Sequence, residues 1–283
     1  MTEHKNNGFS LIELSISIII IGLLVAGISG GSKLIKQAEL RAFIQEITNY
    51  ETAYITFKST YDAKPGDFAN ASVIWGTGCA ETPSNCNGNG SGVISYQNTV
   101  NDETIKSMKH MSLAGLIKGS NSVIPDSWTG IARQGVELGI LPTSKFDSGL
   151  CLNYGGTSTT EAWDQLGSGI GYTIRDTRTN YLVIGGHYSG PPGGEVSCVG
   201  VGYSNASSGI YAYDAFNIDR KIDDGKYSSS SAIGASTGKF IVDANDAFAA
   251  PAPNQGFPCR SGNADTYDLN VTQSGCVILY AVE

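Results

Sequence analysis

The chain has 283 residues, 41% of them hydrophobic and 16% charged, and a formal net charge of -8. Its 36 glycines, set against that apolar fraction, describe a loop-rich globular protein and exclude a disordered one. The acidic balance, with no dense Lys/Arg cluster, excludes a dedicated nucleic-acid domain and reads as solubility for an exposed surface.

The first element is the run "FSLIELSISIIIIGLLVAGISG", Phe9 to Gly30, apolar apart from a few serines and Glu13. As a helix its 22 residues span about 33 Å, enough for a bilayer core of about 30 Å. A secretory signal cut near residues 26–30, or an ordinary single-pass anchor, accounts for the length and leaves Glu13 unexplained. A carboxylate in an apolar span costs about 2.5–3.5 kcal/mol at its centre and less near an end. Lys5 precedes the run while Lys33, Lys36 and Arg41 follow it, so flanking charge leaves the orientation open.

The segment resembles the N-terminus of type IV prepilins and of type II secretion pseudopilins. The polar leader "MTEHKNNG" ends in Gly8, followed by Phe9, three mostly apolar residues and Glu13. The resemblance implies that a prepilin peptidase cuts between Gly8 and Phe9 and methylates the new Phe9 amine. It also implies that the apolar helix holds the subunit in the inner membrane, head in the periplasm, and then forms the core of a helical filament. Glu13 would meet the Phe9 amine of a neighbouring copy, since two charges that are costly alone become tolerable as a pair and so fix register. The implied partners are copies of itself or related pilins, the peptidase and an inner-membrane assembly platform, with no nucleic acid. Many pilins carry a helix proline here; this chain has Gly27, Gly30 and Gly31, as a flexible point or as sites of close packing.

From Lys33 the pattern turns amphipathic. Leu40, Phe43, Ile44, Ile47, Tyr50, Tyr54 and Phe57 recur at three- and four-residue steps, predicting a helix to about Ser59 with a buried face. Pro65 and Gly66 in "YDAKPGDF" end it. Residues 76–92 read as a turn-rich loop, and 107–120 as a helix through Met108, Met111, Leu113 and Leu116 stopping at Gly119. Residues 170–177, "IGYTIRDT", and "NYLVIGGHY" read as paired strands, and "CVILYAVE" as a buried final strand.

The expected fold is therefore α+β. A long N-terminal α-helix, transmembrane half plus amphipathic half, packs on an antiparallel sheet in a loop-rich globular head. The divisions are leader 1–8, transmembrane and filament-core helix 9–30, amphipathic half 31–60 and head 61–283.

Six cysteines without a CxxC spacing, and three scattered histidines, argue against zinc and for disulfides in an oxidising compartment. The expected pairs are Cys79–Cys86, Cys151–Cys198 and Cys259–Cys276, although sequence alone allows 15 pairings. Asp214, Asp219, Asp223 and Asp224 crowd before Gly225. Asp219, Asp223 and Asp224 are the candidate oxygen ligands for calcium. The competing reading is a short helix carrying Phe216 and Ile222 inward, with solvated aspartates and Gly225 as its stop. No cofactor is required.

"GSGIGY" lacks the last glycine of a dinucleotide fingerprint, and "GASTGKF" is one residue short of a phosphate loop. Neither His110 nor His187 sits in a nucleophile motif, so no enzyme is expected. The leading function is a structural subunit of a type IV pilus or type II secretion pseudopilus. The alternative is an exported or membrane-anchored binding protein or adhesin with a conventional signal or anchor.

Overall fold

The computed structural model describes residues 10–95, 102–127, 139–146, 149–154, 180–185, 210–223, 225, 238–243, 259, 266–267, 269–270 and 276–283. Helix α1 runs Leu11–Tyr61 as one element, and the chain divides into two compact units, Met1–Ala42 and Phe43–Glu283. The helix passes through Gly27, Gly30 and Gly31 without interruption. It ends where Asp62 takes a left-handed φ of 51°, a conformation short polar side chains tolerate better than most, three residues before Pro65.

In the second unit α1 presents one buried face. Phe43, Ile47, Tyr50, Tyr54 and Phe57 are buried, as is Ala53 between them, while Ile44 lies at the margin and is only half-buried. The spacing is that of a helix with one apolar stripe against a core. Polar anchors flank the stripe. Glu46 accepts the Lys145 amide at 3.2 Å, and Glu51 accepts Lys239 Nζ at 2.8 Å and the Tyr280 hydroxyl at 2.7 Å. Farther along, Tyr54 Oη donates to Glu283 Oε1 at 2.6 Å, and Lys58 Nζ reaches the same oxygen at 2.7 Å. Asn180 Nδ2 donates both to the Tyr54 hydroxyl at 3.0 Å and to Glu283 Oε2 at 3.1 Å.

Among the described residues the sheet has four strands, β1 Gly149–Tyr154, β2 Asn180–Gly185, β3 Phe240–Asp243 and β4 Val277–Ala281, in the order β1-β2-β4-β3. Every neighbouring pair is antiparallel. Register puts Leu152, Leu182, Tyr280 and Phe240 in one row across the sheet, and Leu150, Ile184, Ile278 and Val242 in a second row on the same face. Tyr280 reaches Glu51 from this face, so it is the one that meets α1. The last strand is buried, as its apolar run requires. Of the hairpin read between 170–177 and "NYLVIGGHY", the second strand is β2, whose two edges are taken by β1 and β4. Residues 170–177 themselves lie outside the described residues.

Three short helices lie among the described residues of the head. Helix α2, Ala71–Trp75, leads into the turn-rich loop, which the disulfide Cys79–Cys86 closes. Helix α3 covers Glu103–Leu113, starting and ending earlier than the 107–120 reading. It begins where Asp102 accepts the Thr104 amide at 2.9 Å. It stops at Gly115 (φ 73°) rather than Gly119, because the Gly115 amide bonds Ser112 O and the Leu116 amide bonds Met111 O. That is a Schellman closure, and it consumes the carbonyls a longer helix would need. Met108 and Met111 are fully buried, whereas Leu113 and Leu116 are half-buried past the end of the buried run.

Two buried carboxylates shape the loop between α2 and α3. Asp67 accepts the Ser91 and Gly92 amides at 2.9 and 2.7 Å, and Glu103 accepts the Asn89 and Ser95 amides at 2.8 and 2.9 Å. Gly66 and Gly88 make the close approach possible. A Cβ on Gly66 would stand 2.2 Å from Glu103 O, and one on Gly88 would stand 2.3 Å from Gly66 O.

Helix α4, Ala212–Ile222, is the short helix expected before Gly225, turned differently. Ala212, Ala215 and Ile218 face inward, while Phe216 and Ile222 sit half-buried at the border. Phe216 there packs against Tyr267 with ring centroids 5.4 Å apart. Aromatic residues at the edge of a buried face often take this position, because a ring can cover apolar surface while one side stays wet.

Candidate functional site

The first half of α1 has the chemistry of a site built to be covered. Fourteen large aliphatic side chains between Leu11 and Ile35 are 51–87% exposed. Ile18, Ile19, Ile20 and Ile21 are consecutive, so the apolar surface runs round the whole helix. A helix that is apolar all round belongs in lipid or in a protein core. Covering one Leu or Ile is worth about 1.5–3 kcal/mol, which makes this surface a strong drive toward an apolar partner. The helix is long and apolar enough, by length and composition, to cross a membrane.

Three of its serine hydroxyls bond back to the helix. Ser15 Oγ donates to Ile12 O at 2.9 Å, Ser17 Oγ to Glu13 O at 2.7 Å, and Ser32 Oγ to Ser29 O at 3.1 Å. With each hydroxyl turned back on the backbone, these serines carry little cost in an apolar medium. The space beside Gly22, Gly27, Gly30 and Gly31 is open.

Glu13 is exposed at the start of the helix. Its Oε2 accepts the Ser10 amide at 3.0 Å, while Ser10 Oγ accepts the Ile12 amide at 3.3 Å. The Leu14 amide bonds Ser10 O at 3.1 Å, so Ser10 is the residue from which the helix starts. This is a capping box, two amides of the first turn satisfied reciprocally by a serine and a glutamate three residues on. The signal for it, Ser-x-x-Glu at the edge of an apolar run, was present in the sequence beneath the more obvious Gly-Phe-x-x-x-Glu.

Residues 4–29 match the model of the prokaryotic N-terminal methylation motif. This is the type IV prepilin and pseudopilin signature. It spans Gly8, Phe9 and Glu13 together with most of the exposed apolar surface. No curated protein and no solved structure matches the chain. The prepilin signature therefore stands on the N-terminal segment, and the α+β architecture behind it accords with a pilin-like fold.

Gly8 and Phe9 lie outside the described residues, as do Cys198 and Asp224. In the head, Cys79–Cys86 and Cys259–Cys276 are bridged, and Cys151 is also disulfide-bonded. Asp219 Oδ2 accepts the Tyr267 hydroxyl at 2.9 Å, and Asp223 Oδ2 accepts the Phe240 amide at 3.3 Å. Asp219 is buried and Asp223 half-buried, so neither is the solvated aspartate of the simpler reading.

Among the described residues, the one grouping with metal-ligand spacing is Cys79, Cys86 and His110. Its two sulfurs are joined to each other, and the imidazole is committed elsewhere. His110 Nδ1 accepts the Gly66 amide at 2.9 Å, which puts the ring proton on Nε2, 2.9 Å from Cys86 O. The buried ring stacks on Phe57 and lies 5.3 Å from the Trp75 ring, and burial pushes its pKa down to about 3. His110 is thus a neutral core histidine tying the Gly66 turn to the disulfide loop. Lys106 is also a structural group: its Nζ donates to Asn87 O at 2.6 Å, and burial lowers it to about 8.

Proposed function

We propose that the chain is a structural subunit of a type IV pilus or type II secretion pseudopilus. It is cut after Gly8 by a prepilin peptidase, N-methylated at Phe9 and assembled through the first half of α1. The observation that carries this reading is the methylation motif at residues 4–29, whose part from Leu11 onward lies on a helix with its apolar surface exposed on every side. In the inner membrane that surface meets lipid; in a filament it meets the same surface of other copies. Glu13, one carboxylate near the end of an apolar helix, pairs with the Phe9 amine of a neighbour and fixes the axial step between helices that otherwise slide. The head faces the periplasm, the oxidising side, in keeping with its disulfides.

The test is the N-terminal sequence and mass of the protein from its native membrane. The expected chain starts at N-methylated Phe9. A start near residue 30, or an intact Met1, would return the segment to a signal or anchor and favour an exported binding protein. Exchange of Glu13 for Gln is expected to leave cutting intact and reduce filament yield at least tenfold.

A further inference from the structure

The apolar surface of α1 is longer than the hydrocarbon it would enter. Exposed aliphatic side chains run from Leu11 to Ile35, about 37 Å along the helix against a core of about 30 Å. Apolar matching leaves about 7 Å of play, because each ångström of mismatch costs little. The depth is then chosen by the polar residues at the ends.

At the far end of this surface Lys33 and Lys36 bracket Leu34 and Ile35, which are 68% and 64% exposed. Hydrocarbon that begins near Leu11 ends near Gly30, and the two lysines leave the helix about 5 and 9 Å beyond it. A headgroup layer is about 5–7 Å deep, so both long side chains reach the phosphate level. Their charge is available for it. Lys33 is exposed and has no acidic partner among the described residues, and Arg41, farther out, has none either. Lys36 meets Glu39 at 3.6 Å in an exposed pair, which is worth little and readily exchanged. Three cations and one carboxylate between residues 31 and 45 also reverse the sign of a chain whose net charge is -8. We propose that Lys33 and Lys36 form a collar for anionic phospholipid headgroups on the head side of the membrane, and that this collar sets the depth of α1.

The inference rests on the membrane-inserted reading above and names the lipid class it takes. Cations beside the head run against the positive-inside tendency, and anionic lipid on that leaflet offsets the conflict. With Lys33 held among headgroups, Leu11 lies about 33 Å away along the helix, at the opposite edge of the hydrocarbon. The bond to be cut, Gly8–Phe9, is then only a few residues from that edge.

The test places the full chain in bicelles of phosphatidylcholine, with or without about one part in three phosphatidylglycerol. A paramagnetic tag on a lipid headgroup marks the bilayer surface along α1 through the relaxation it adds at each amide. With phosphatidylglycerol the maximum is expected between Gly31 and Lys36. Without it, or in the double variant Lys33→Gln, Lys36→Gln, Leu34 and Ile35 sink and the maximum moves about one turn toward Arg41. Mass spectrometry of the released protein is expected to show about tenfold more bound phosphatidylglycerol than phosphatidylcholine, and about equal amounts in the double variant. An unchanged surface position with no lipid preference in the wild type overturns the inference. So does a double variant that keeps wild-type depth and preference while its filament yield falls, which would assign the lysines to carboxylates of a neighbouring copy. Both of those outcomes leave the membrane reading standing. A chain that enters neither bicelle overturns that reading and the collar with it.

Discussion

The two halves of α1 are one helix by backbone and two different objects by surface. Between Leu11 and Ile35 the large side chains are exposed on every side; from Phe43 to Phe57 the large side chains are mostly buried along one stripe. The first half turns the hydroxyls of Ser15, Ser17 and Ser32 back on its own backbone. The second half spends its polar residues on the head, through Glu46, Glu51, Tyr54 and Lys58. The contrast teaches where stability and assembly reside. Substitutions in the second half act on folding, while those in the first act on whatever covers it.

That division can be broken most directly with Phe57→Ala. The ring is fully buried among Tyr61, Phe68, Trp75 and His110, so the head is expected to lose about 3–5 kcal/mol in denaturant unfolding. A loss below about 1 kcal/mol would mean the second half is not part of the head's core. Next in size is the double exchange of Cys79 and Cys86 for Ser. Opening a loop of sequence separation 7 is expected to cost about 2–3 kcal/mol, read as a lower unfolding midpoint than wild type under oxidising conditions.

His110 sharpens the comparison through pH. Its folded pKa, about 3, lies below the ordinary value of 6.5, so between those limits the unfolded chain binds the extra proton. Stability from this group is fully present above about 6.5 and falls as the pH drops toward 3, by at most about 1.4 kcal/mol per pH unit. Glu103, raised by burial, works the other way over part of the range. The measurement is therefore the difference in slope between wild type and His110→Gln, expected to be flatter in the variant.

Smaller still is Glu283→Ala. It removes one carboxylate from Tyr54, Asn180, Lys58 and Lys64 and is expected to cost about 1 kcal/mol, less at high salt because two lysines pair with it. At the bottom of the scale, Ile19→Ala is expected to change head stability by less than about 0.5 kcal/mol. A clear shift in the head's melting with Ile19→Ala would show that the two halves are energetically one.

Much of this was legible in the chain because it is local. The span length of Phe9–Gly30, the 3.6-residue stripe through Phe43, Ile47, Tyr54 and Phe57, and the apolar last strand are properties of neighbouring residues. They follow from periodicity and from the water-to-apolar transfer of side chains. The helix stop at Gly115 was misplaced because Gly119 carries the same local signal, and the Schellman bonds decide between them. The inward face of α4 was misread for a related reason. Phe216 and Ile222 are apolar, but the face that packs is set by what lies beneath, and Ala212, Ala215 and Ile218 fit there.

What the sequence determined by itself is the exposed half: an apolar helix of membrane length, its Glu13, and the motif that surrounds them. What only the tertiary structure decided is the set of long-range partners. Glu283 meets Tyr54 across 229 positions, β4 enters between β2 and β3, and His110 closes on Gly66. Periodicity reports which side of an element is covered. It carries no information on which distant segment does the covering, because many apolar or polar segments satisfy the same face and the choice is made by packing the whole head at once.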